Sequence, residues 1–237
     1  MKKNKIKRFG EYTTKKDYHL NLDPKWPFLP VYLEKMDYVD KLIESFSKRH
    51  RIIDLGCGEG VLVKKYYKKG FNIVGLDLNY QSTLVTKGDI TNLPYQDKSF
   101  NAVLCLDVLE HLNFHDQNKT LKEIIRILKP DGKLLLSLPN LAHLASRFSF
   151  LFAGKLLRTS GIDRHPGDRP LAEYKKILKP YFKIIRIKGL FPTLPLISIF
   201  TLLIPSKIIW WHKIYNRLLA WPPICFENII LTQKLPK

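Results

Sequence analysis

The nine residues Ile52-Ile53-Asp54-Leu55-Gly56-Cys57-Gly58-Glu59-Gly60 constrain this 237-residue chain more than any other stretch. A β-branched run ends in three alternating glycines, and helical apolar spacing follows over 61–69, so the segment reads as strand, tight turn and helix. Glycines there let the backbone turn sharply and bring a ligand against main-chain N–H groups, where a side chain would collide. A nucleotide is the usual guest of such a turn. A dinucleotide fingerprint needs another glycine five residues after Gly56, and Val61 stands there, which argues against a pyrophosphate cofactor. Asp77 closes the second expected strand, 21 residues after Gly56, where a carboxylate can accept hydrogen bonds from both ribose hydroxyls. Asp89 follows the third strand at the rim of the same crevice; a lone acid there is equally a turn residue.

Strand-like and helix-like stretches alternate through the chain, the pattern of an α/β protein with a mostly parallel sheet. The expected strands are 51–55, 72–76, 84–86, 102–106, 133–138, 182–187 and 228–232, with helices over 31–49, 61–69, 116–128 and 171–178. The length suits one well-packed domain over 31–237, its core at 50–140, preceded by a basic tail or lid over 1–30. Two connections, 140–170 and 189–226, are far longer than ordinary loops and rich in Leu, Phe, Ile and Trp, so both are expected to fold as helices that cover something.

Charge narrows the partners. Forty Lys+Arg against 21 Asp+Glu give +19, and residues 141–237 hold +12 of it, from 16 basic and 4 acidic side chains. Such a field attracts nucleic acid, anionic lipid or phosphorylated metabolites without choosing among them. Hydrophobic residues at 45% with 26% charged exclude a disordered or low-complexity chain. Cys57, Cys105 and Cys225 are odd in number and far apart, which supports neither a disulfide framework nor a zinc finger and suits a cytoplasmic protein. The basic start, with Lys2, Lys3, Lys5, Lys7 and Arg8, lacks the apolar core of a secretory signal. Residues 189–206 carry no charge, but Pro192, Pro195 and Pro205 argue against a membrane-spanning helix and leave an interfacial or substrate-covering segment.

Taken in order, Asp54-Leu55-Gly56-Cys57-Gly58-Glu59-Gly60, Gly75-Leu76-Asp77, Gly88-Asp89-Ile90, the stretch 93–101, Asp107-Val108-Leu109-Glu110-His111 and Leu128-Lys129-Pro130-Asp131-Gly132-Lys133 resemble the motifs of class I S-adenosylmethionine-dependent methyltransferases of the type 11 group. The resemblance implies a Rossmann-like seven-stranded sheet of order 3-2-1-4-5-7-6, here with hydrophobic helical insertions in the C-terminal part, and S-adenosyl-L-methionine as cofactor. It implies that Asp54, Gly56, Cys57, Gly58 and Gly60 form the loop at the methionine part and that Asp77 holds the ribose. Leu78 then packs on adenine, Asp89 and Ile90 meet its exocyclic edge, and Leu106 lines the methionine side. Only seven residues separate Asp77 from Val85, so the family's helix between the second and third strands is expected to be nearly absent.

Methyl transfer from a sulfonium is an in-line displacement, and a hydroxyl acceptor also needs a base. His111 after the fourth strand and His143 after the fifth are the candidate bases, since strand carboxyl ends face the ligand crevice. A helix-bracing role is the alternative for His111. Asp107, Glu110 and His111 also resemble the Glu-x-x-Glu-His pattern of ubiquinone-type O-methyltransferases, which can bind a divalent ion; no metal is the expectation. The acceptor is expected to be a small-molecule, lipid-linked or glycan-type compound methylated at oxygen, with some anionic character. Ile208 to Trp221 combine three tryptophans with cations and no acid, which points to peripheral contact with an anionic membrane or to a lid packed on the sheet. RNA methylation and a catalytically inactive, membrane-associated S-adenosylmethionine-binding protein are the rival readings. The oligomeric state is open.

Overall fold

The computed structural model describes residues 22–158, 160–194 and 197–236. The basic residues between Lys2 and Arg8 lie outside them. Seven strands form one sheet in the order β3-β2-β1-β4-β5-β7-β6: β1 (Ile52–Leu55), β2 (Ile73–Asp77), β3 (Val85–Lys87), β4 (Phe100–Leu106), β5 (Leu128–Pro139), β6 (Phe182–Pro192) and β7 (Cys225–Lys234). The first five run parallel, and β7 lies antiparallel between β5 and β6. The order is the one the motif resemblance implies.

Alternation along each central strand sends neighbouring residues to opposite faces, and both faces are covered, so the strands read as continuous apolar runs. Ile53, Val103, Leu134 and Leu136 pack with α3 (Phe114–Ile127) and α5 (Leu171–Leu178). Ile52, Leu104 and Leu135 pack on the other face with α1 (Leu29–Glu44), α2 (Val61–Lys68) and Tyr215 of α7 (Ile209–Leu219). Helix α3 starts at an Asn113 cap whose side chain accepts from Asp116 N at 2.9 Å, two residues before the expected start. Strands β6 and β7 exceed their expected lengths because their ends pair with each other beyond the apolar alternation that marks them in sequence, and β5 begins earlier than expected because Leu128 pairs with Phe100 of β4 across a register shift.

No helix lies between β2 and β3, as the short spacing implies; residues 78–84 make a turn and leave Leu78 39% exposed. The two long connections are partly helical. The first holds α4 (Leu144–Ala153), then runs irregularly over the described residues up to Pro170; the second begins as an extension of β6 and continues into α6 (Ile197–Leu203) and α7. Among the described residues no helix is long and apolar enough to cross a membrane.

Candidate active site

The glycine loop leaves β1 with Gly56, Gly58 and Gly60 all at positive φ, 74°, 56° and 76°. A Cβ on Gly56 would lie 2.5 Å from Val108 Cγ2, so the loop is pressed against the turn after β4 and no other residue fits. Asp77 is buried at the end of β2 and accepts from Gly58 N at 2.9 Å and Asn79 N at 2.8 Å. Each carboxylate oxygen keeps a further lone pair for a ligand hydroxyl. Asp54 is buried in β1, and burial, with Asp77 beside it, pushes its carboxyl up to about 7. Two acids and a flat glycine loop suit a cationic donor that carries a ribose; on this geometry the residues fit S-adenosylmethionine. Ile90 is buried, Leu106 is half-buried, and exposed Asp89 accepts from Thr91 N at 2.8 Å, closing a turn at the rim. Burial raises the Cys57 thiol, so Cys57 supplies backbone and packing rather than a thiolate.

The raised Asp54 carboxyl gives a stability prediction for the ligand-free protein. Between its ordinary value of 3.8 and about 7 the folded state holds a proton that the unfolded state has released, so stability falls as pH rises through that window. Asp54→Asn, neutral throughout, should be more stable than the parent above about pH 8, by at least about 1 kcal/mol, and the gap should shrink steadily as the pH falls towards about 4. Thermal melts across that range measure it; a gap independent of pH would sink the assignment.

Beside the loop lies a pocket of about 290 Å³. Its wall includes Trp26, Phe28, Tyr32 and Phe226, and Phe28 stacks on Phe226 with centroids 4.9 Å apart. Its floor is polar. Lys35 of α1, buried, pairs with Asp107 after β4 and with Glu227 of β7, the latter at 3.0 Å. Asp107 sits at φ 53°, a left-handed turn that Asp tolerates better than most residues, and accepts from Ser137 Oγ at 2.5 Å. Burial works against the Asp107 carboxylate, but Lys35 outweighs it and holds it below the usual range. Burial pushes Glu227 up to about 7 despite Lys35, with Asp107 adding to the rise. Glu110 is held well above the ordinary carboxylate range, by burial first and Asp107 second, and its Oε2 is buried without a hydrogen-bond partner among the described residues.

Of the two expected bases, only His111 lines this pocket. Its Nδ1 lies 3.1 Å from the Arg164 carbonyl and so must donate, which leaves Nε2 with the lone pair in the neutral ring. Burial, then neighbouring His165, lowers its pKa. His143 is instead the buried N-cap of α4: its Nδ1 accepts from Ser146 N and meets Thr193 Oγ1 at 2.9 Å, while Nε2 faces the Leu157 carbonyl at 3.3 Å. With both ring nitrogens committed and burial lowering its pKa to about 4, His143 is placed as a structural residue. The Asp107–Glu110–His111 grouping also changes. Asp107 turns to Lys35 and Ser137, and His165 completes the set: ligand atoms of Glu110, His111 and His165 lie within 4.8 Å of one another, a grouping able to hold a divalent ion. Lys35 and Glu227 escaped the sequence reading, although Lys35 falls in register with Val31, Val39 and Ile43 on the apolar stripe of α1. Glu227 is the only acid after Glu173.

The methyltransferase-domain family matches residues 30–170, well over half the chain. The chain belongs to that family. Asp77, Asp54 and the glycine loop are the residues here that fit S-adenosylmethionine as a methyl donor. An uncharacterized protein of Methanocaldococcus jannaschii is 35% identical over 143 residues, 53% of this chain and 60% of that protein, so the chain spans less than two thirds of that relative. A ubiquinone biosynthesis O-methyltransferase of Dechloromonas aromatica is 25% identical over 193 residues, covering 74% of this chain and 76% of its own. In fold, a SAM-dependent methyltransferase from Archaeoglobus fulgidus superposes with a TM-score of 0.58 at 18% identity, over 92% of this chain and all of that one.

Proposed function

We propose that this methyltransferase transfers a methyl group to an oxygen of a small-molecule or lipid-linked acceptor whose hydroxyl enters the Lys35–Asp107–Glu227 pocket. The observation that carries this reading is the pocket itself: an aromatic wall faces a polar floor and a neutral imidazole, immediately past the Val108 turn on which the donor loop rests. The relative named for ubiquinone biosynthesis is an O-methyltransferase, which agrees with oxygen as the target.

S-adenosylmethionine supplies an electrophilic methyl group on a sulfonium. The chain's residues do the rest. Asp77 would hold the ribose hydroxyls, and the glycine loop lets the donor lie against backbone. Trp26, Phe28, Tyr32 and Phe226 exclude water and grip the acceptor's apolar part. His111 Nε2 takes the hydroxyl proton as the oxygen attacks, and Glu110, kept protonated, can donate a hydrogen bond to the acceptor. Lys35 and Arg164 offset the floor's carboxylates, so the pocket has little net charge and suits an uncharged head; the chain's positive excess lies elsewhere.

Calorimetric titration with S-adenosylmethionine tests the donor half. Asp77→Ala should weaken binding about 10- to 100-fold, the loss of one or two hydrogen bonds to a charged acceptor, while Asp77→Asn keeps one side-chain oxygen and should lose less. A parent that does not bind, or an alanine variant that binds like the parent, removes the reading.

A further inference from the structure

Three segments leave large apolar side chains in solvent. Leu151 and Phe152 of α4 are 72% and 81% exposed, Leu203 of α6 is 70%, and Trp210 and Leu218 of α7 are 65% and 73%. These segments are anchored at one place. Thr193 Oγ1 accepts from Ala145 N of α4 at 3.0 Å, Leu194 N donates to Tyr215 of α7 at 3.3 Å, and α6 follows Leu194 within three residues. Arg147 of α4 donates to the Pro223 carbonyl at 3.0 Å, just beyond α7. The anchor adjoins the pocket: Phe226, part of its wall, lies 5.5 Å from the His143 ring that caps α4.

A soluble monomer rarely leaves so many large apolar side chains clustered in water, and such a patch marks an interaction face. Charge selects the occupant. Neither 141–162 nor 194–226 contains an Asp or Glu, while Lys155, Lys207, Lys213 and Arg217 are exposed within them. A second copy docked on the same face would bring like charges together. An anionic bilayer neutralises them and takes tryptophan at its interface.

We propose that the face formed by α4, α6 and α7 docks on an anionic phospholipid bilayer, its apolar side chains entering the headgroup region without crossing the membrane. Docking would set the pocket mouth beside the lipid, so an acceptor with an apolar tail need not leave the bilayer; this use of the face rests on the proposed methyl transfer, whereas docking itself does not.

Sedimentation of the full chain with vesicles of phosphatidylglycerol and phosphatidylcholine, against pure phosphatidylcholine, tests it without any turnover. The protein should pellet with the anionic vesicles, at least about 10-fold more tightly than with the neutral ones, and should be released by salt. Replacing Lys207, Lys213 and Arg217 with Gln should weaken binding about 100-fold, roughly 5-fold per cation. Trp210→Ser with Leu218→Ser should abolish pelleting while calorimetric binding of S-adenosylmethionine stays at the parent's level. Equal partition onto both vesicles, or indifference to salt, overturns the proposal. So does a concentration-dependent dimer that Leu218→Asp dissociates, since the face would then belong to a second copy. The parent's salt series decides the matter even if a variant fails to fold. Normal lipid binding with no methyl transfer would remove only the acceptor reading.

Discussion

Lys35→Met should lower stability by about 3–5 kcal/mol, the cost of leaving buried carboxylates without their counter-ion, which for a chain of this size is a fall in melting temperature on the order of 10 °C. Lys35 is buried and holds Asp107 and Glu227 at once, so its removal leaves two acids facing each other across the pocket floor. Those acids respond by taking up protons in the folded state. Their carboxyls then lie higher folded than unfolded, so stability declines as pH rises, and the deficit of Lys35→Met should be larger near pH 8 than near pH 6. Glu227→Gln on the same background removes one acid and should recover part of the loss. Differential scanning calorimetry at the two pH values measures both. A Lys35→Met protein that melts within about 2 °C of the parent near pH 8 would show that solvent in the pocket screens the three charges.

His111→Gln should reduce kcat by about 10²- to 10⁴-fold, the range for loss of a general base, with donor affinity unchanged because His111 lies outside the glycine loop. Release of S-adenosylhomocysteine in the presence of hydroxyl acceptors bearing apolar tails reads the rate. Since burial and His165 hold the His111 pKa below its ordinary value of 6.5, the parent should be fully active at neutral pH and lose activity only in more acid solution. The variant should lack that acid limb. Chelation separates base from metal: a His111 base is indifferent to it, whereas loss of turnover restored by manganese would assign His111, Glu110 and His165 to an ion instead. A parent-like kcat in His111→Gln would mean that alignment alone carries the reaction.

His111 and His143 show what two candidate bases of like sequence position can become in the fold. Both histidines follow central strands, and their sequence positions at strand carboxyl ends are equivalent. What separates them is tertiary: Thr193, fifty residues on, occupies one His143 nitrogen, and the Leu157 carbonyl meets the other. The same holds for Asp107. Its neighbours Glu110 and His111 suggest one cluster, but the left-handed turn after β4 aims its carboxylate at Lys35, 72 residues earlier, and His165 takes its place beside Glu110.

From sequence alone came the glycine loop, Asp77, the missing helix before β3 and the two long apolar connections, each written in neighbouring residues, because backbone turns, the two-residue alternation of strands and the helical period are local properties. The strand order came instead from the resemblance of the motif series to a known family. Only the folded chain decided which charges meet and which aromatic rings face them. The pocket draws on residues from Trp26 to Glu227, and pairing across such separations depends on how the sheet orders its strands rather than on any spacing along the chain. The tertiary structure likewise divided the chain's +19: a nearly balanced pocket is built from Lys35 and Arg164 against Asp107 and Glu227, with Glu110 held protonated, while exposed cations without acids lie among the apolar side chains of α4, α6 and α7.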